Sequence, residues 1–251
     1  MNSHTLESAP VTPRLEVDRL TVKFGGLTAV DDVSFDVQPS EVVALIGPNG
    51  AGKTTVFNAV CSLLRCAGDI KIDGSPVPRQ TPKLSKLGLS RTLQGLGLFS
   101  SMTVRENVVL PLAGGPTSEA EAAADAQLEQ LNLLHLADRL VSELSYPDRK
   151  RVALARSLAT DPKLLLLDEP AGGLGAEDIA ALSDTIRDVA ASGRSVLLVE
   201  HHVDFVMALA DRIVVLDFGR VIARGTPDEI RTDPRVEEAY LGVTAANGDA
   251  S

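Results

Sequence analysis

No stretch of this chain approaches the roughly 20 consecutive apolar residues that a membrane-spanning helix needs, and apolar runs such as 42–46 and 164–167 have only the length of a strand. Cysteine is scarce. Cys61 and Cys66 stand alone in a chain whose start, residues 1–13, has neither the basic opening nor the apolar core of an export signal, so reduced, unpaired thiols are expected rather than a disulfide or metal site. Residues 1–13 are polar and contain proline, and they read as a disordered extension. Basic residues are outnumbered, 24 Lys and Arg against 34 Asp and Glu, for a net charge of −10. That balance excludes non-specific binding to nucleic acid, which needs clustered positive charge, and free adsorption to anionic lipid. Work at a membrane would require a protein partner to hold the chain there.

What is present alternates. Residues 14–37 run in short segments, Leu15-Glu16-Val17 and Val33-Ser34-Phe35-Asp36-Val37, separated by Gly25-Gly26 and Asp31-Asp32, which predicts an antiparallel strand region. Residues 41–46 are β-branched, apolar and bounded by a turn signal, as a strand buried on both faces of a mainly parallel sheet requires. Residues 163–167 and 195–199 read the same way, with helical stretches expected at 53–64, 118–134, 148–159 and 177–191. Strands alternating with helices indicate a doubly wound α/β core. Residues 88–159 read as an inserted, mostly helical subdomain with an Ala- and Glu-rich middle. A last hairpin around Asp217-Phe218-Gly219 precedes a short Pro-started helix, and a polar tail over 244–251 is expected to fray. The folded domain is thus placed at 14–243, with no internal repeat.

The chemistry concentrates in two segments. Gly47-Pro48-Asn49-Gly50-Ala51-Gly52-Lys53-Thr54 fits G-x-x-x-x-G-K-[ST] directly after a buried strand and before a helix. Chance alone gives this pattern in about one chain in a hundred of this length, and the strand-loop-helix context argues against an ordinary glycine-rich turn. Glycines let backbone N–H groups curl around a phosphate, and the helix presents its positive end to the same anion. Lys53 supplies a charge for the β and γ phosphates and Thr54 a hydroxyl for Mg²⁺, with Thr55 grouped beside them in the phosphate site. The fold expected is therefore α/β: a P-loop NTPase core with a mainly parallel sheet, an N-terminal antiparallel β subdomain and an inserted α-helical subdomain. The second segment, Leu164-Leu165-Leu166-Leu167-Asp168-Glu169, ends a buried strand at the crevice where open α/β sheets bind ligands. Asp168 suits a metal and Glu169 suits polarising a water; a plain strand exit is the alternative, made less apt by the phosphate loop upstream.

With these motifs the chain resembles ABC ATPases from about residue 15 to 241. Within them it is similar to the ATP-binding subunits of branched-chain amino acid importers, on Phe24-Gly25-Gly26-Leu27-Thr28-Ala29-Val30, Met102-Thr103-Val104-Arg105-Glu106-Asn107-Val108 and residues 210–227. Related importers of amides and other small organic solutes share these segments. The resemblance implies ATP and Mg²⁺, a seat on the cytoplasmic face of the membrane through multi-span permease subunits, and a solute-binding protein outside the membrane. It also implies roles for further residues: Phe24 stacks on adenine, Gln94 touches Mg²⁺ and the attacking water, and His201 contacts the γ phosphate, with His202 solvated. Leu96, Leu98 and Phe99 form an apolar cluster readable either as subdomain core or as a docking surface for the permease.

In this family two subunits sandwich two ATP molecules, the signature segment of one capping the nucleotide of the other. Here that segment is Leu144-Ser145-Tyr146-Pro147-Asp148, with proline where the family has glycine. Ser145 keeps the cap hydroxyl, but Pro147 has no N–H to offer, although proline is tolerated in a first helical turn. Gly175, in Gly173-Leu174-Gly175, stands where the family has Asp or Asn. Both departures fall on elements that act across the dimer, which leads to the expectation of a second, different ATPase subunit. A regulatory subunit that binds ATP without effective hydrolysis, and an ABC ATPase that works outside transport, are the alternatives. Against the latter, the chain shows no long coiled coil, zinc-ligand cysteines or second ATPase unit.

Overall fold

A computed structural model describes residues 12–92, 96–112 and 117–240 of the chain. β1 (Leu15–Phe24) and β2 (Leu27–Val37) form the expected antiparallel pair, with Leu15 opposite Val37 and Phe24 opposite Leu27. β3 (Val42–Ile46) leads through the glycine-rich loop into α1 (Lys53–Val60). β4 (Ala67–Ile72) and β5 (Ser75–Pro76) then return to the first sheet, whose order is β2-β1-β4-β5. The sequence reading places no strand there. Only Ile70 and Ile72 supply the alternation in β4, too short a pattern to read, and both are buried.

β6 (Leu89–Arg91), α2 (Val104–Val109), α3 (Ser118–Gln130) and α4 (Tyr146–Leu158) follow. The chain continues through β7 (Leu164–Asp168), α5 (Ala176–Ala191), β8 (Ser195–Val199) and α6 (Val203–Leu209). It closes with the hairpin of β9 (Arg212–Asp217) and β10 (Arg220–Gly225) and with α7 (Pro227–Arg231). The second sheet has the order β10-β9-β3-β8-β7-β6 and is parallel except at the β9–β10 hairpin. β6 corrects the sequence reading, which takes its residues as the start of the helical stretch: Leu89, Ser90 and Arg91 pair in parallel with Leu164, Leu165 and Leu166 at the sheet edge. Three residues are too few to carry a period.

β3, β7 and β8 are buried at every position because each face of the sheet meets a different core. Val42, Ala44 and Ile46 point with Leu165, Leu167, Val196 and Leu198 into a cluster shared with α2 to α6. Val43 and Leu45 point with Leu164, Leu166, Leu197 and Val199 into a cluster shared with α1 and the first sheet. The two-residue side-chain period thus divides one continuous apolar run between two cores.

Helix ends differ from the expected ones for a stated reason. α1 stops at Val60 and α3 at Gln130, against expected ends at 64 and 134. In each case a non-glycine residue takes the left-handed conformation, Ser62 at φ 55° and Asn132 at φ 55°. The next N–H then reaches back five residues, Leu63 to Asn58 O at 2.9 Å and Leu133 to Leu128 O at 2.7 Å, closing the end as a Schellman motif. α4 begins at Tyr146, two residues earlier than expected, since Pro147 fits a first turn. Among the described residues, no helix is long and apolar enough to cross a membrane.

Candidate functional site

The loop Gly47–Thr54 leaves the carboxyl end of β3 at the centre of the second sheet, between β8 and β9, where strand order switches direction. Two of its glycines are dictated by packing. A Cβ at Gly47, φ 149°, would lie 2.0 Å from Leu216 O, and one at Gly52, φ 101°, would lie 2.8 Å from Ala29 O. The loop is therefore pressed between β9 and β2 with its backbone turned to the open side. Asn49, Gly50 and Thr54 are exposed, Thr55 is half-buried, and Gly47, Pro48 and Ala51 are buried. Gly52 caps α1 without a side chain, so the first-turn N–H groups stay available to an anion.

Lys53 is buried, and its Nζ donates to Gly47 O at 2.7 Å and Pro48 O at 2.9 Å. Burial pulls its pKa down, and the charge of Glu169 acts in the opposite direction. A buried ammonium held only by carbonyls beside a glycine cradle fits a phosphate, which would supply the charge the loop lacks. The phosphate-loop residues expected from sequence therefore lie together in one loop between the carboxyl end of β3 and the start of α1.

The acidic pair sits at the end of β7. Asp168 is buried; its Oδ2 accepts from Arg91 Nη2 at 3.0 Å, and its backbone N–H donates to Thr92 Oγ1 at 3.2 Å. Arg91 also donates to Asn58 Oδ1 at 2.8 Å, with its guanidinium carbon 5.0 Å from the centre of the Phe57 ring. Glu169 adopts φ 47°, a left-handed conformation that costs a non-glycine residue about 1–3 kcal/mol and persists only where the surroundings enforce it. Its carboxylate is accessible, with Oε1 3.7 Å from His201 Nδ1. The structure thus brings Lys53, Asp168, Glu169 and His201 to one crevice. His202 is exposed and tilted against His201 at 5.3 Å between ring centres.

The remaining expected residues are distributed. Gln94 lies outside the described residues. Phe24 is half exposed at the turn before β2, the strand that walls the phosphate loop through Ala29 and Val30. Leu98 packs on the helical core, whereas Phe99 is exposed. Ser145 caps α4. Its Oγ accepts from Asp148 N at 3.2 Å and donates to Asp148 Oδ2 at 2.7 Å. Asp148 therefore occupies the hydroxyl and adds a negative charge to the start of the helix, beside Pro147.

Sequence reasoning missed three polar residues that hold the crevice in shape. Arg91 is one. Lys150, on α4, donates to Glu169 O at 3.0 Å and Pro170 O at 2.7 Å, with its pKa lowered by burial and partly restored by Glu200 and Glu169. Glu200 is wholly buried between β8 and His201. Its position directly after the apolar run 196–199 was the available signal, since a carboxylate there must find donors.

Comparisons with known proteins agree with this geometry. A family model described as ABC transporter matches residues 30–172, more than half of the chain, and one described as branched-chain amino acid ATP-binding cassette transporter matches residues 220–246. The chain is 38% identical to the high-affinity branched-chain amino acid transport ATP-binding protein LivG of Escherichia coli, over 92% of this chain and 98% of that one. It is 40% identical to BraF of Pseudomonas aeruginosa, a protein of the same description, with the same coverage. A crystal structure of a nucleotide-free ATP-binding cassette from an ABC transporter superposes with a TM-score of 0.84 at 29% identity, over 91% of this chain and 98% of that one. A glycine cradle at a strand switch, an acidic pair at the end of β7 and full-length identity of this order together mean that the chain belongs to the ATP-binding, ATP-hydrolysing subunits of ABC transporters.

Proposed function

We propose that this chain hydrolyses ATP with Mg²⁺ at the Gly47–Thr54 crevice to energise import of branched-chain amino acids or a related small solute. It does so as one of two unlike ATPase subunits seated on the cytoplasmic face of a multi-span permease, which receives solute from a periplasmic or extracellular binding protein. The observation that carries the hydrolytic reading is the accessible Glu169 carboxylate 3.7 Å from His201, beside the buried Lys53. Glu169 takes a proton from the attacking water, Lys53 holds the β and γ phosphates, and His201 holds the γ phosphate from the carboxyl end of the neighbouring strand β8. The exposed Thr54 hydroxyl and the Asp168 carboxylate are hard oxygen donors suited to Mg²⁺, with Gln94 completing the set. When bound, that ion neutralises phosphate charge. Phe24 supplies a stacking face for adenine, compatible with weak selectivity for the base. The solute class is supported by the 38% and 40% identity to the two branched-chain amino acid transport proteins.

The unlike partner is supported by the signature helix. Ser145 is engaged by Asp148, Pro147 lacks an N–H, and Gly175 lacks a side chain to reach across. This subunit is then a poor cap for its neighbour's nucleotide while keeping a full set of residues for its own. Light scattering of the Glu169→Gln variant, with and without ATP, tests this. The variant is expected to bind ATP yet remain monomeric alone, and to form a stable sandwich only with a second ATPase subunit. Homodimerisation on ATP would overturn the unlike partner and leave the hydrolytic reading standing.

A further inference from the structure

The reading above leaves a wholly buried carboxylate at the crevice without a task. Glu200, between β8 and His201, has no exposed surface, yet both its carboxylate oxygens are engaged. Oε1 accepts the Ala171 N–H at 2.7 Å; Oε2 accepts the N–H groups of His201 at 2.9 Å and His202 at 3.2 Å. The donors come from two separate turns, one just past Glu169 and one that carries His201. A buried carboxylate needs donors, and these are the two turns whose spacing sets the distance between Glu169 and His201.

The turn after Glu169 is gripped from its other side as well. Lys150 donates to Glu169 O at 3.0 Å and Pro170 O at 2.7 Å, while the Glu169 N–H bonds Val199 O at 2.9 Å. Carbonyls on a lysine and an N–H on a carboxylate together hold a backbone whose φ of 47° at Glu169 would otherwise relax. None of these bonds reaches the phosphate loop.

We propose that Glu200 is a positioning residue for hydrolysis: a buried clamp that fixes the Glu169 turn against the His201 turn, with Lys150 closing the far side of the same turn. The proposal rests on the reading of Glu169 as base and His201 as phosphate ligand. The bonds of Glu200 go to the backbone of these turns, with Oε2 also 3.9 Å from His201 Nδ1, and none goes to the phosphate loop, so it governs turnover and not nucleotide affinity.

Glu200→Gln tests it at nearly constant volume, because the amide nitrogen cannot accept and one of the two turns is released. ATP affinity of the full chain is expected to stay within about two-fold, while turnover of the transporter purified with its membrane subunits falls by roughly 10- to 30-fold. Combined with His201→Ala, the loss should be close to that of the more damaging single variant, as for residues that act as a unit. Parental turnover in Glu200→Gln, or losses that multiply as independent effects, would overturn the clamp, provided Glu169→Gln measured alongside is inactive and His201→Ala keeps a reduced but measurable turnover. If those two keep parental turnover, the underlying reading falls and the proposal falls with it. Should Glu200→Gln fail to fold, Lys150→Met releases the same turn from its other side. Loss of turnover with ATP affinity kept supports the clamp, and parental turnover overturns it.

Discussion

At the scale of single residues, the signature segment is where a local substitution has the clearest functional reading. A phosphate cap needs a hydroxyl and N–H groups at a helix start. Asp148 holds the Ser145 hydroxyl at 2.7 Å and contributes a charge of the wrong sign, and Pro147 removes one donor. Replacing both, Pro147→Gly with Asp148→Gln, is expected to raise ATP turnover at the composite site of the assembled transporter by roughly 10- to 100-fold, the worth of a charge-assisted hydrogen bond. Unchanged turnover would show that the cap does not limit the reaction. The proline was legible from sequence. Asp148 was not, because only the folded turn brings its carboxylate onto Ser145. The same holds for Arg91, Lys150 and Glu200, whose bonds to Asp168, Glu169 and Ala171 span 77, 19 and 29 residues of sequence. Motif residues announce themselves by spacing, whereas residues that hold them are chosen by what the fold places nearby.

At the scale of elements, strands buried on both faces were the most legible, since β3, residues 164–167 of β7 and residues 196–199 of β8 are continuous apolar runs with polar neighbours. Helix ends were less so. The left-handed closures at Ser62 and Asn132 use residues other than glycine, so the usual stop signal is absent. Asn132 is exposed and sits at φ 55°, with the Leu133 N–H returning to Leu128 O at 2.7 Å. A β-branched side chain is strained in that conformation. Asn132→Val is expected to destabilise the chain by about 1–2 kcal/mol, and Asn132→Gly to leave stability unchanged or raise it by a few tenths. Urea denaturation monitored by circular dichroism checks both. Equal stability of the two variants would mean that the α3 end is not held by this closure.

At the scale of the whole molecule, the two sheets must keep a fixed relation, because the phosphate loop is pressed between β2 of one and β9 of the other. Sequence alone indicated both sheets but not the bond between them. Arg212, at the start of β9, joins them through one planar guanidinium. It donates to Asp36 Oδ1 at 3.1 Å and Oδ2 at 2.8 Å on β2, to Asp36 O at 2.7 Å, and to Glu41 Oε1 at 2.9 Å just before β3. These hydrogen bonds hold the Asp36 carboxyl below its ordinary pKa, against the opposing effect of burial. A carboxyl depressed in the folded state contributes stability that is complete above its unfolded-state pKa, about 4, and is lost as pH falls through the folded value. Arg212→Met should therefore lower the melting temperature clearly at neutral pH. The gap to the parent chain should narrow as pH drops below about 4, where protonated Asp36 no longer draws on the guanidinium. Some difference should persist in acid, since the bond to the Asp36 carbonyl does not titrate. Both side chains are partly exposed, so solvent screening keeps the effect modest, and added salt should reduce it further. A gap independent of pH between 7 and 3 would assign the role of Arg212 to packing along its stem instead of to the charge that bridges the sheets.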